Sequence, residues 1–344
     1  MKRFLPFVLL GLALAAPVPA QTDLQPAAIV RLTKTEPITV KQLRTEVERM
    51  ETQARRRFGP TERRQILDVM INERLAIQAA ERDRITVTDN EVNQQIQQLR
   101  DQLRQSLGRA PTDAEFAKAI VDETGLELAA LRDQIRRQGI IQRYLVSKKQ
   151  DILQSVRAPT ETEIVDFYDN NKTQFVRPDT VRLSMILVPY GQDRVKARAL
   201  ADQLVREIGS SASRFDEAVL KAQAPDSGYQ GGDAGYLPRN DQAQQRVGQD
   251  LLRTAFNLKQ GEVSSLVESP QGYNILKITE TLEMKALGLD DMAQPGTRTT
   301  VKKYIEDYLS QQRQQEVLAR AQQELVTELR TGNPFQVFEA NLNW

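Results

Sequence analysis

The chain has 344 residues, 40% hydrophobic and 27% charged, with 47 basic and 46 acidic side chains. That length is enough for two or three domains, and the near-neutral balance leaves no electrostatic footprint for nucleic acid. Neither cysteine nor histidine occurs, which excludes a disulfide framework, Ser-His-Asp or Cys-His catalysis and the usual zinc ligands, so no metal or cofactor is expected.

At the start, Lys2 and Arg3 precede an apolar run from Phe4 to Ala16, followed by Pro17-Val-Pro-Ala20. A basic start, a short apolar core and small closing residues read as a cleavable secretory signal over residues 1–20. The run is shorter than the ~20 residues that span a bilayer, so no stable membrane insertion is expected after its removal. Losing two positive charges takes the formal charge from +1 to 1 − 2 = −1.

Ala27-Ala-Ile-Val-Arg-Leu32 is a short strand candidate, and Thr39 is a helix N-cap for a segment running to about Phe58. Gly59-Pro-Thr61 breaks that segment. The next helix carries Leu67, Met70, Ile71, Leu75 and Ala79 on one stripe. Thr88-Asp-Asn-Glu91 has capping-box form and opens a helix with Val92, Ile96, Leu99, Leu103 and Leu107 on one side and glutamines elsewhere. Pro111-Thr-Asp113 starts a shorter helix. Leu126 to Ser155 reads as a helical hairpin or one long helix, and Pro159 to Tyr168 as another capped helix.

The periodicity then changes. Val181-Arg-Leu-Ser-Met-Ile-Leu-Val188 and Gly272-Tyr-Asn-Ile-Leu-Lys-Ile278 read as strands. Between them lie amphipathic segments at Val195–Val205 and Val247–Phe256, and Gly231-Gly-Asp-Ala-Gly-Tyr236, which reads as a glycine turn. Gly228-Tyr-Gln-Gly-Gly232 lacks both G-x-G-x-x-G and a following Lys-Ser/Thr, so it is not a phosphate loop. A Gly- and Pro-containing connector, 287–296, leads to a long helix from about Thr299 to Arg330. Its apolar stripe is interrupted by the polar run Ser310 to Glu316.

The stretch from Val181 to Met284 resembles a parvulin-type (PpiC-like) peptidyl-prolyl isomerase domain. The family pattern A-S-H-I-L appears as Leu183-Ser-Met-Ile-Leu187, and G-G-D-x-G as Gly231-Gly-Asp-Ala-Gly235. A-F-x-L-x-x-G-E-[IV]-S appears as Ala255 to Ser264, and G-[YW]-H-I-[IL]-K as Gly272-Tyr-Asn-Ile-Leu-Lys277. The two histidine positions therefore hold Met185 and Asn274. The resemblance implies a Cys or Asp near the substrate carbonyl, aligned here on Ala224, and a proline pocket at Val247, Leu251 and Phe256. Met cannot donate a hydrogen bond and Ala has no polar group, so the family's catalytic positions Met185, Ala224 and Asn274 read as degenerate. Met185, Val247, Leu251, Phe256 and Asn274 remain as peptide-contact candidates. An active, histidine-free isomerase is the alternative; Ser184, Asp233 and Asn274 are its polar candidates.

The N-terminal half is similar to the helical chaperone region of SurA-type periplasmic folding factors. The matches are Glu36-Pro-Ile-Thr39, Leu67 to Ala80 with Gln78, Ile85 to Val92, and Pro159 to Pro178. This implies a predominantly helical α+β protein. A chaperone domain over 21–178 would be completed by residues 285–344, with a parvulin-like domain over 179–284 inserted. Pro334–Phe338 or Ala340–Trp344 would then pair with the strand near Ile29. The implied function is that of an ATP-independent periplasmic chaperone for unfolded secreted or outer-membrane proteins. A scaffold or homodimer built on the long C-terminal helix is a third reading.

Overall fold

The computed structural model describes residues 23–224 and 226–344; the signal-like segment lies outside them. The chain divides into two compact units. One contains the N-terminal part up to Val156 together with Arg313–Trp344, and the other Arg157–Gln312.

The first unit begins with β1 (Pro26–Val30) and β2 (Glu36–Thr39), an antiparallel hairpin. Then follow α1 (Val40–Ala54), α2 (Pro60–Arg82), α3 (Asp89–Leu107), α4 (Asp113–Thr124) and α5 (Leu128–Lys148). The expected stripe of α2 is its core face: Leu67, Ile71, Leu75 and Ala79 are fully buried, with Met70 at the edge. The stripe of α3 peels away from the core. Val92 and Ile96 are buried against Phe116, Ile120 and Leu131; Leu99 and Leu103 are partly covered, and Leu107 is exposed.

Threonine caps set the helix starts. Thr39, Thr88 and Thr112 each accept from the backbone of the residue three further on, whose side chain bonds back, so two orphan donors are satisfied at once. Gly108 and Gly125, at φ 69° and 70°, end α3 and α4 in the left-handed conformation that glycine adopts without strain. Glu91 is held down to a pKa of about 2, chiefly by the Thr88 backbone N–H and then by Arg143; Glu115 is held down to about 2 by Arg109 and the Thr112 N–H. A depressed carboxylate pKa stabilises the fold above the ordinary glutamate range, and the contribution is lost as pH falls through the folded value. Helical circular dichroism should therefore decline from pH 5 to pH 2 in the parent, and decline less in a Glu91→Gln, Glu115→Gln variant. Identical acid titrations would contradict the role given to these caps.

The second unit opens with α6 (Glu161–Asn170), capped by Thr160. Its main sheet comprises β3 (Thr180–Pro189), β4 (Gln230–Pro238), β5 (Val267–Ser269) and β6 (Gly272–Leu282), in the antiparallel order β4-β3-β6-β5. The helices α7 (Arg194–Ile208) and α8 (Ala212–Lys221) cover one face through Leu204, Ile208 and Phe215. The other face is covered by α9 (Asp241–Val247) and α10 (Gln249–Asn257) through Leu251, Leu252 and Ala255.

One element differs from its sequence reading. Residues 231–236 form the body of β4, not a turn. The glycines there serve close packing and a bulge. A Cβ on Gly231 would lie 2.9 Å from Ala222 Cβ and 3.1 Å from Val219 Cα, and Gly235, at φ 76°, follows the register shift opposite Leu183 and Ser184.

A second small core joins α6 to the connector: Ile164, Phe175 and Leu287 pack with Val301 and Ile305. The last two belong to α11 (Val301–Arg330), whose other end supplies Ala321, Leu325 and Leu329 to the core of the first unit. Beyond it, β7 (Phe335–Val337) lies antiparallel on β1, with Ile29 opposite Gln336, completing the sheet β2-β1-β7. Of the two C-terminal segments considered, 334–338 makes this pairing. Residues 157–178 fall in the second unit, whereas the sequence reading grouped them with the N-terminal helices. No helix among the described residues is long and apolar enough to cross a membrane.

Candidate functional site

Side chains alternate across a strand, and that alternation sorts the candidate residues by face. Leu183 and Met185 point to the side covered by α9 and α10, whereas Ile186 and Val188 point to the side of α7 and α8. Met185 pairs with Leu276, and Leu187 with Asn274. Met185 and Asn274 are thus diagonal neighbours on one face, about 7–8 Å apart by sheet geometry.

Val247, Leu251 and Phe256 join Met185 in one apolar cluster. Leu251 is buried, while Met185, Val247 and Phe256 are half-buried at its edge. Arg239, which the sequence did not single out, stacks its guanidinium 5.2 Å from the Phe256 ring centre. The face is a built apolar surface with an exposed rim.

Asn274 is 1% exposed. Its Nδ2 donates to the Gly272 carbonyl at 3.0 Å and the Val267 carbonyl at 3.3 Å, tying β5 to β6. Both amide donors are therefore used by the chain itself. Ser264, quoted above only as part of a motif, is another buried polar group here, beside Ser269: its Oγ accepts from Leu276 N at 2.8 Å and donates to the Ser265 carbonyl at 2.6 Å. Its position two residues after a Gly-Glu turn and beside a strand was the available signal.

Ala224 is exposed in the turn before β4, held by backbone bonds to Lys221 and Ser227. It is not part of the apolar cluster.

Ser184 and Asp233 face each other across β3 and β4, on the opposite side of the sheet from Asn274. They line a polar hollow of about 300 Å³ with Arg182, Asp216, Lys277 and Glu280. Its two cations are each matched by a carboxylate, and the third carboxylate, Glu280, takes a hydroxyl instead. Arg182 pairs with Asp233 and Lys277 with Asp216, and Tyr236 donates to Glu280 at 2.7 Å. Asp233 also accepts from Gly235 N at 2.9 Å. Arg182 and that N–H hold the Asp233 carboxyl below its ordinary range, and the bond to Glu280 holds the Tyr236 phenol above its own. Ser184 donates its hydroxyl to the Gly232 carbonyl at 3.1 Å. The three polar candidates of a histidine-free isomerase are consequently split between two faces, and each already has a structural bond.

Two family models match the chain. The model described as the PPIC-type PPIASE domain covers residues 159–294, and the SurA-like N-terminal domain covers residues 4–145. The chain carries a SurA-like N-terminal domain and a PPIC-type PPIase domain.

Among curated relatives, Chaperone SurA of Chromohalobacter salexigens is 28% identical over 294 residues, covering 81% of this chain and 63% of the relative. Foldase protein PrsA of Clostridium acetobutylicum is 23% identical over 223 residues, covering 64% and 61%. Chaperone SurA of Albidiferax ferrireducens is 26% identical over 302 residues, covering 84% and 61%. The chain thus spans between 61% and 63% of the length of these relatives. A solved structure from a description of two SurA-like chaperones of Campylobacter jejuni is 13% identical, covers 91% of this chain and 99% of the other, and has a TM-score of 0.40. Within the matched region, one sheet face carries Met185 and Asn274, the latter with both amide donors engaged, at the positions where the resemblance places histidines.

Proposed function

We propose that this protein is an ATP-independent periplasmic chaperone for unfolded secreted or outer-membrane polypeptides, and that its PPIC-type domain contacts peptide with little isomerase activity. The carrying observation is the split of polar groups across the sheet. On the face with Met185, Val247, Leu251 and Phe256, the polar side chain at the histidine position, Asn274, has spent its donors on its own backbone. An X–Pro bond must cross a barrier of ~18–20 kcal/mol; the buried polar side chains of that face, Asn274 and Ser264, have spent their donors on the chain, and the Arg239 guanidinium stacked on Phe256 at the rim stays protonated and exchanges no proton. The apolar rim can still receive a proline or aromatic side chain.

The SurA-like domain and the relatives named chaperone and foldase support the holding activity. The signal-like N-terminus supports export, and the placement of Gly231 and Gly232 within a strand supports independence from nucleotide.

Light scattering of a heat-unfolded client should show suppressed aggregation without ATP. In a proline-limited peptide assay, kcat/KM should fall about 10²–10⁴-fold below that of a histidine-bearing PPIC-type domain, the usual worth of general acid–base groups. Equal kcat/KM would overturn the degenerate-site reading, and unchanged aggregation would overturn the chaperone reading.

A further inference from the structure

The first unit has a hollow of about 430 Å³ between α3 and α5. Its α5 side is one helical face, running from Ile135 through Gly139 and Gln142 to Val146. Val87, just before α3, forms part of the floor. A Cβ on Gly139 would come within 3.0 Å of Val87 Cγ2. A glycine inside a helix costs about 1 kcal/mol relative to alanine; here it admits the Val87 side chain against the α5 backbone. Val146 is 48% exposed in this hollow and belongs to no apolar cluster.

The rim is chemically distinctive. Gln95, Gln142 and Gln150 border the hollow, and among the described residues none of these amides has a side-chain hydrogen bond. The rim charges Glu91 and Arg143 are paired with each other and cancel. A neutral rim offers no purchase to a phosphate, a nucleotide or an anionic headgroup. Each primary amide presents two donors and an acceptor, which complements the N–H and C=O groups of an extended main chain whatever its sequence. The valine and isoleucine floor complements intermittent apolar side chains.

We propose that the α3–α5 hollow binds an extended, uncharged stretch of non-native polypeptide, with its main chain on the glutamine amides and an apolar side chain over Val87 and Val146. This rests on the chaperone reading above and deepens it by assigning a site outside the PPIC-type domain.

The absence of cysteine makes the test clean. In the full chain, Val146→Cys would be labelled with a biotin–polyethylene glycol maleimide, and Val195→Cys, 80% exposed on α7, would be the labelled control. The probe is fluorescein-labelled, reduced and carboxymethylated α-lactalbumin, with Kd read by anisotropy. The Val146 adduct should bind at least about tenfold more weakly than its unlabelled parent, and the Val195 adduct should bind equally. If the Val146 adduct loses helical signal, the exposed Gln142→Cys adduct replaces it and must show the same loss of binding. A Val146 adduct within twofold of its parent would overturn the site while leaving the chaperone reading intact. An adduct that dissociates a dimer in multi-angle light scattering without changing Kd would assign the hollow to a second copy and overturn the proposal too. Failure of the unmodified protein to bind the probe would remove both readings.

Discussion

Ending the chain at Gln312 should unfold the first unit while sparing the second. The lost residues supply Ala321, Leu325 and Leu329, all buried in the first unit's core, with Phe335, Val337 and Trp344 packed at its edge. Replacing one buried leucine by alanine costs about 2–5 kcal/mol, so the two leucines alone account for about 4–10 kcal/mol. A folded unit has only about 5–15 kcal/mol to lose. The truncation also strips β7 from β1, where Phe338 N bonds the Ala27 carbonyl at 3.0 Å and Arg31 N the Pro334 carbonyl at 2.7 Å. It removes Glu324 and Glu328 from the buried Lys149, and Arg330 from Asp68. The second unit keeps every residue of its own cores, including Val301 and Ile305. Calorimetry should therefore lose one transition and retain the other, with hydrogen exchange unprotected in α1 and α2. Two transitions at their original temperatures would refute this account of the C-terminal segment.

Much of this arrangement could be read from residue order. The α2 stripe from Leu67 to Ala79 predicts a buried face because every member falls within one side of a 3.6-residue period, and the fold buries it. The polar interval from Ser310 to Glu316 separates two apolar stretches of α11, and the two stretches enter different cores. The candidate site was less legible. Leu183-Ser-Met-Ile-Leu187 and Gly272-Tyr-Asn-Ile-Leu-Lys277 predict strands, but spacing alone does not set their mutual register. Bulges beside Leu183 on both neighbouring strands shift that register. They decide that Ser184 meets Asp233 on one face while Asn274 lies on the other. The glycines of 231–236 have a strong turn preference, and tertiary packing against Val219 and Ala222 overrides it. Partner choice by a buried amide is likewise set by three-dimensional proximity. Asn274 could have faced a substrate by composition, and instead it fastens a hairpin.

Gln78 shows the same limit and gives the other large effect. It was noted above only as part of a family-like segment, yet it is fully buried on α2 and organises the turn between β1 and β2. Its Oε1 accepts from Leu32 N and Thr33 N, both at 3.1 Å, and more distantly from Lys34 N at 3.5 Å; its Nε2 donates to Glu36 at 3.2 Å. Glu36 is anchored in turn by Arg74 at 2.9 Å. One side chain thus satisfies successive backbone donors that bend away from the sheet and have no ladder partner. Gln78→Met keeps the length and the helix propensity of the side chain but offers those donors no acceptor of comparable strength. Each stranded donor costs about 1–3 kcal/mol, so two give about 2–6 kcal/mol. That corresponds to a fall of about 10 °C in the first unit's transition, with the second unit's transition unmoved. If the hairpin amides of Leu32 and Thr33 exchange no faster in Gln78→Met than in the parent, water or a rearranged turn satisfies them, and Gln78 is packing material only. Faster exchange confined to those amides, with the rest of β1 protected, would place the loss at this turn and identify the α2 amide as what sets the hairpin's shape.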